Sequence, residues 1–361
     1  MAKVVYGVSG EGSGHSSRAR EMIDHLQQLG HSVKVVSYDR GYRNLKEDFD
    51  VFETEGLHIA SSDNRVSKVK TFTDNLQRLP RGHKKLNVLR RDIFKTFWPD
   101  CVITDFEPMC AYLAHHYDLP LITIDNQHRI RYMTYPCPAR LQAERRMTVS
   151  VIRAMVPRPD VSLVTTFYYG KAKNDRTLFF PPIIRQEVLA LQPSGTDHIL
   201  VYLTGGYESF LKILKSFPRE KFLVYGDDRP HQDGNAVYKP FSREGFLKDC
   251  ASCKAVMATA GFTLMTEAFY LRKPYLALPM RGQFEQELNA HWLAKLNYGI
   301  NLRRVRAEAV GNFLYRVPDF QANLNEYQAV DNSAIKDQLG KLLDDGCALA
   351  WDYHRRRKQV K

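Results

Sequence analysis

The chain has 361 residues, is 44% hydrophobic and 25% charged, and carries a formal net charge of +12. That is enough for two domains of ordinary size, and no stretch has the ~18 uninterrupted apolar residues of a membrane span. Six cysteines do not make a disulfide framework in a chain this long, and the start runs straight into a predicted strand without a signal peptide. The expectation is a cytoplasmic protein with reduced thiols.

Residues 4–8 predict a strand. The glycine-rich turn Gly10-Glu-Gly-Ser-Gly-His15 follows, and then a helix in which Ala19, Met22, Ile23, Leu26 and Leu29 recur at helical spacing before Gly30. Residues 32–38 form the next predicted strand, ending beside Asp39, where a dinucleotide enzyme would hold a ribose. The turn is nonetheless a broken fingerprint, because His15 stands where G-x-G-x-x-G needs its last glycine, and no lysine completes a phosphate loop. Gly12 and Gly14 instead let the backbone approach a ligand, and His15 is placed to take a proton from a hydroxyl. The plainer reading of His15 is a helix-start histidine bonding locally. Asp48-Phe-Asp50 matches D-x-D but lies in a charged run, which reads as a solvated loop; no metal site is expected.

Between residues 65 and 98, Arg65, Lys68, Lys70, Arg78, Arg81, Lys84, Lys85, Arg90, Arg91 and Lys95 interleave with Phe72, Leu76, Leu79, Leu86, Leu89, Phe94 and Phe97. Such a pattern suits an anionic membrane surface or an anionic substrate, and nucleic acid less well; an amphipathic helix pair with solvated lysines is the plain alternative. Arg355-Arg-Arg-Lys358 and Lys361 add a basic end.

Residues 101–104 predict a buried strand that ends at Asp105, on the same sheet edge as His15. A carboxylate behind an imidazole fixes its tautomer and stabilises its charged form; Glu107 competes for that place. A helix over 108–117 and a strand over 121–124 follow. Asp125-Asn-Gln-His128 closes that strand, placing Asn126 and His128 for acceptor contact or for local turn bonding. Further strands are expected at 161–165 and 178–180. Pro181-Pro182 then break the alternation, and 183–197 reads as a linker.

The alternation restarts with a strand at 198–204 ending in Gly205-Gly206. Strands follow at 222–225, 236–238, 255–258 and 275–278. Cys250-Ala-Ser-Cys253 has no second pair and reads as packing thiols. After strand 255–258, Thr259-Ala260-Gly261-Phe262-Thr263 opens a helix whose free N–H groups can bind an anion. Glu267 lies two turns in, within reach of a sugar diol, and strand 275–278 leads to Gln283, Glu285 and Gln286. Phe284, Leu288, Trp292 and Leu296 mark one face of a helix that Gly299 would cap. The fold expected is α/β, with two tandem Rossmann-like doubly wound domains facing a cleft: 1–182 for the acceptor, a linker at 183–197, 198–330 for the nucleotide sugar, and a helical tail at 331–361.

At Lys239-Pro-Phe-Ser242, Thr259-Ala-Gly-Phe-Thr263, Glu267 and Glu285-Gln286 the chain resembles the GT-B glycosyltransferases. The resemblance is to the branch near the enzyme that adds N-acetylglucosamine to a lipid-linked peptidoglycan intermediate, and to the UDP-glycosyltransferases; it covers roughly 1–300. It implies that Phe241 and Ser242 flank the base and that Gly261 to Thr263, with Thr259 and Ala260, receive the diphosphate. Glu267 would then bind the ribose, Gln283, Glu285 and Gln286 would hold the sugar, and Gly205 and Gly206 would approach the phosphates. The activity implied is inverting and metal-independent transfer of a hexose-type sugar, UDP-linked before other donors, to a hydroxyl acceptor that is lipid-linked at the inner face of a membrane. No cofactor is implied. The Glu-x7-Glu pair of retaining branches is absent: its first member would fall on Thr259. A sugar-nucleotide hydrolase or 2-epimerase on the same fold, or a non-catalytic donor-binding subunit, stays open.

Overall fold

The computed structural model describes residues 1–56, 61–62, 65–66, 84–203, 208–226 and 229–359. The chain divides into two units. The first comprises residues 1–60, 68–185 and 331–361, and the second comprises residues 61–67 and 186–330. Gly205, Gly206 and the basic stretch from Lys68 to Arg81 lie outside the described residues.

The first unit holds seven parallel strands: β1 (Lys3–Val8), β2 (Ser32–Ser37), β3 (Val51–Glu53), β4 (Cys101–Asp105), β5 (Leu121–Asp125), β6 (Val161–Thr165) and β7 (Thr177–Phe180), in the order β7-β6-β5-β4-β1-β2-β3. Burial follows the two-residue period of a strand covered on both faces. Val4, Tyr6 and Val8 pack into one apolar layer with Met22, Ile23 and Leu26 of helix α1 (Ser13–Gln28). Val5 packs into the opposite layer, with Cys110 and Leu113 of helix α2 (Pro108–His116). Each fully buried side chain of this size contributes about 1.5–3 kcal/mol.

Leu89, Ile93 and Phe94 join that second layer, with Leu86 and Phe97 packed against it. Of the described apolar residues in the basic stretch, Leu89, Ile93 and Phe94 are buried in this layer, as an amphipathic helix would place them, and Lys85 pairs with Glu53 at 3.3 Å. Trp98 stays exposed at 71%.

The C-terminal segment, expected as a tail, is helical over Ser333–Gln359 with a break at Asp344–Cys347, and its Ile335, Leu339, Leu342 and Leu343 enter the layer beside α1. Its basic end is folded down onto acids. His354 Nδ1 lies 3.0 Å from Asp160, Arg357 bonds the same carboxylate, and Lys358 Nζ donates to Asp118 at 2.5 Å. Burial alone would raise the Asp160 carboxyl, but hydrogen bonds from His354 and the Leu121 N–H, with the Arg357 charge, outweigh it and hold that group below its ordinary range. Where the chain enters and leaves the first unit, Asn332 clasps Ile184: Oδ1 accepts from the Ile184 N–H at 2.9 Å and Nδ2 donates to its carbonyl at 2.7 Å.

The second unit holds β8 (His198–Tyr202), β9 (Lys221–Tyr225), β10 (His231–Asp233), β11 (Ala236–Lys239), β12 (Ala255–Thr259), β13 (Tyr275–Leu278) and β14 (Gly299–Asn301), in the order β10-β11-β9-β8-β12-β13-β14. All pairs are parallel except β10 with β11. Gly299 starts β14 and does not cap the preceding helix, which ends at Lys295 with Leu296 beyond it. A Cβ at Gly299 would meet the Tyr275 carbonyl oxygen at 1.8 Å, so this glycine serves the close approach of two strands.

Candidate active site

In the first unit, β1, β4 and β5 are neighbours, and their C-terminal ends bring Val8, Asp105 and Asp125 to one edge, where open α/β sheets bind ligands. Gly10 packs so tightly that a Cβ would meet the Tyr38 carbonyl at 2.2 Å, and Gly12 has φ +81°, a conformation that side chains rarely adopt. Helix α1 starts immediately after, with Gly14 in its first turn and His15 facing Asp105.

His15 Nδ1 is 2.7 Å from Asp105 Oδ1. Asp105 is fully buried, while the imidazole keeps 11% of its side-chain surface exposed. Glu107, the competing carboxylate, is committed elsewhere. It caps α2, accepting from the Met109 and Cys110 N–H groups at 2.9 and 2.7 Å, and burial raises its carboxyl from the ordinary range.

Arg18 is the residue that sequence reasoning missed. Its Nε and Nη2 donate to the two oxygens of Asp105 at 2.6 and 2.5 Å, and its Nη1 donates to Asn126 Oδ1 at 2.7 Å. This is a forked, charge-assisted pairing in a buried setting. Arg18 Nη2 also lies 2.8 Å from His15 Nδ1. An ionised carboxylate only accepts, so Nδ1–H is assigned as the donor to Asp105, with Arg18 Nη2 directed to Asp105 Oδ1 and Gln127 Oε1, and Nε2 is left to accept a proton. The available signal was spacing: Arg18 and Met22 follow His15 at i+3 and i+7, on one face of α1.

Asn126 and His128 are 1% and 0% exposed. His128 Nδ1 lies 2.7 Å from Asp125, whose second oxygen accepts the His128 N–H at 2.8 Å. Burial would raise Asp125, yet the charge and hydrogen bonds of His128, with the Arg18 charge, hold it below its usual range. His128 thus makes the local turn bonding that was one of its two expected roles, and Asn126 accepts from Arg18.

In the second unit, helix α3 (Phe262–Tyr270) starts after Gly261, which has φ −67° and no side-chain cap. A Cβ added at Gly261 would meet nothing within 4 Å, so the space before this helix start is open. The turn is braced from below: Asn289 Nδ2 donates to the Ala260 carbonyl at 2.9 Å and Tyr275 Oη to the Thr259 carbonyl at 2.6 Å. Thr263 lies in the first turn, and its carbonyl accepts from Thr266 Oγ1. Glu267 is buried, at 1% exposure.

Gln283 precedes helix α4 (Phe284–Lys295) and Glu285 lies in its first turn. Gln286 Oε1 accepts from the Met280 N–H at 2.9 Å, which fixes the loop after β13 and leaves its amide N–H groups for other use. Phe241 is 58% exposed, with its ring 6.2 Å from Tyr202 and 5.7 Å from Phe246. Ser242 caps the helix Arg243–Ser252, accepting from the Gly245 N–H at 3.3 Å. Among the described residues no group of three or more His, Cys, Asp or Glu side chains could hold a metal. Asp48 and Asp50 instead pair with Arg20 and Lys34. No helix among them is long and apolar enough to cross a membrane.

Residues 2–318 match the family model described as glycosyl transferase family 1. The chain belongs to this family. It is 24% identical over 334 residues to an uncharacterized glycosyltransferase of Methanosarcina mazei, covering 82% of this chain and 84% of that one. Among solved structures it is similar to the glycotransferase of kitacinnamycin, with TM-score 0.67 and 14% identity over 94% of this chain and 98% of the other. It is also similar to spinosyn rhamnosyltransferase SpnG complexed with thymidine diphosphate, with TM-score 0.63 and 14% identity over 94% of this chain and all of the other. Both units of this glycosyltransferase are accordingly the Rossmann-like units of the GT-B fold.

Proposed function

We propose that this glycosyltransferase moves a hexose-type sugar from a nucleoside diphosphate sugar to an acceptor hydroxyl, with inversion and without a metal. The observation that carries the reading is the buried Asp105 carboxylate 2.7 Å behind His15 Nδ1, an arrangement that leaves Nε2 as the proton acceptor. The second unit supplies the donor site. Its open helix start at Gly261 receives the diphosphate, Phe241 flanks the base, Glu267 meets the ribose, and Gln283, Glu285 and Gln286 meet the sugar.

His15 Nε2 takes the acceptor proton as the oxygen attacks the anomeric carbon. The C–O bond to the diphosphate breaks, and the departing charge is stabilised by the free N–H groups and dipole of the helix start. The thymidine diphosphate bound to the spinosyn enzyme supports a nucleoside diphosphate donor. Where a base must be ranked, UDP comes first, on the likeness to the UDP-glycosyltransferase branch. The test is His15→Ala, with donor binding measured by calorimetry. Turnover falls by about 10²–10⁴ while donor affinity holds. Near-full turnover with intact donor binding would refute His15 as the base, and release of free sugar or an isomerised donor without acceptor would establish a hydrolase or epimerase instead.

A further inference from the structure

A basic cavity of about 730 Å³ lies wholly within the first unit, apart from the Asp105 cluster. Arg145, Arg146 and Arg153 reach it from one face of the helix Gln142–Met155. Arg131 and Lys173 reach it from the backbone beside the antiparallel pair Met133–Thr134 and Lys171–Ala172, where the Lys173 N–H donates to the Tyr132 carbonyl at 2.9 Å. Tyr132 lines the same space.

Five cations therefore converge, and no carboxylate is among the lining residues. Some other cations of this unit have carboxylate partners, as Arg20 has Asp48 and Arg357 has Asp160. Among the described residues none of these five is ion-paired. Arg145 lies over the Tyr135 ring at 4.9 Å, with its Nε buried and unbonded. The crowding has an electrostatic consequence. Loss of hydration, with the charges of Arg145 and Arg153, holds the Lys173 ammonium below its usual range, and burial does the same to Arg131. Like charges gathered in a concave site without counter-charge destabilise the empty protein and favour an anion there.

We propose that this cavity binds a diphosphate group. Guanidinium forks match phosphate oxygens two at a time, several of them call for more than one negative charge, and the volume holds a diphosphate with part of what it is attached to. The site stands independently of the donor site, which lies in the other unit.

The test is the double variant Arg145→Gln/Arg153→Gln on the full chain. Binding of inorganic pyrophosphate is measured by calorimetry, and of phosphatidylcholine vesicles with and without a polyprenyl diphosphate by co-sedimentation. The wild type binds, and the variant loses about 10–100-fold in affinity per arginine. The ligand-free variant melts no lower than wild type, because repulsion has been removed, which separates a lost site from a lost fold. Binding of soluble pyrophosphate assigns the cavity to a free diphosphate, and binding confined to diphosphate vesicles assigns it to a lipid headgroup. Equal affinity in variant and wild type, or no uptake of either probe, would overturn the proposal.

Discussion

Replacing Arg18 with methionine removes its hydrogen bonds to both oxygens of Asp105, to Asn126 and to Gln127. The Arg18 side chain is 6% exposed and that of Asp105 fully buried, so the variant leaves a carboxylate in the interior with only His15 beside it. Breaking such a pair by deleting one member costs about 3–5 kcal/mol. For a unit of this size each kcal/mol moves the melting temperature by about 2–4 °C, so calorimetry should show a fall of about 6–20 °C. Arg18→Lys restores the charge but cannot bridge Asp105 and Asn126 together, and melts between the two. Because Arg18 acts on the proposed base through Asp105, kcat should fall less than in His15→Ala, with donor affinity unchanged. A methionine variant that melts within a degree or two of wild type would show that Asp105 is not held as an ion, and the assigned tautomer of His15 would fall with it.

Gly261→Ala should leave stability within about 0.5 kcal/mol, since a Cβ there meets nothing within 4 Å and φ is −67°. Nucleoside diphosphate affinity in that variant should fall at least about 10-fold by calorimetry if the open space is the diphosphate site; unchanged affinity would remove Gly261 from it. Asp160 is depressed in the native state, so its contribution is complete above the unfolded carboxyl value near pH 4 and is lost as pH drops through the lower native value. Asp160→Asn should therefore melt lower at neutral pH and show a flatter acid limb in a melting-versus-pH series. A parallel acid limb would show that the tail contacts do not titrate.

Much of the architecture was legible because buried parallel strands are short apolar runs. Residues 161–165 and 275–278 were delimited from sequence as they stand in the structure. The strands that escaped were those without that signal: Val51–Glu53, His231–Asp233 and Gly299–Asn301 are three residues long, and His231–Asp233 is wholly polar and exposed. Gly299 misled because a glycine after a helical run usually marks its end, whereas here it serves a strand contact. Charge was harder to read than hydrophobicity. Arg18 and Arg357 look solvated in a linear sequence, and only the partners Asp105 and Asp160, each far away in the chain, bring them inside. The five cations of the basic cavity come from a helix and a small hairpin-like pair, so no local run of lysine or arginine announced them.

The clasp between Asn332 and Ile184 makes the second unit an insertion in the middle of the first. Its departure and return points are a hydrogen bond apart, so residues 186–330 could be excised and the cut ends joined by a few flexible residues. Such a mini-protein would retain the His15–Asp105–Arg18 cluster and the basic cavity, and would let ligand binding to the first unit be measured in the absence of the second.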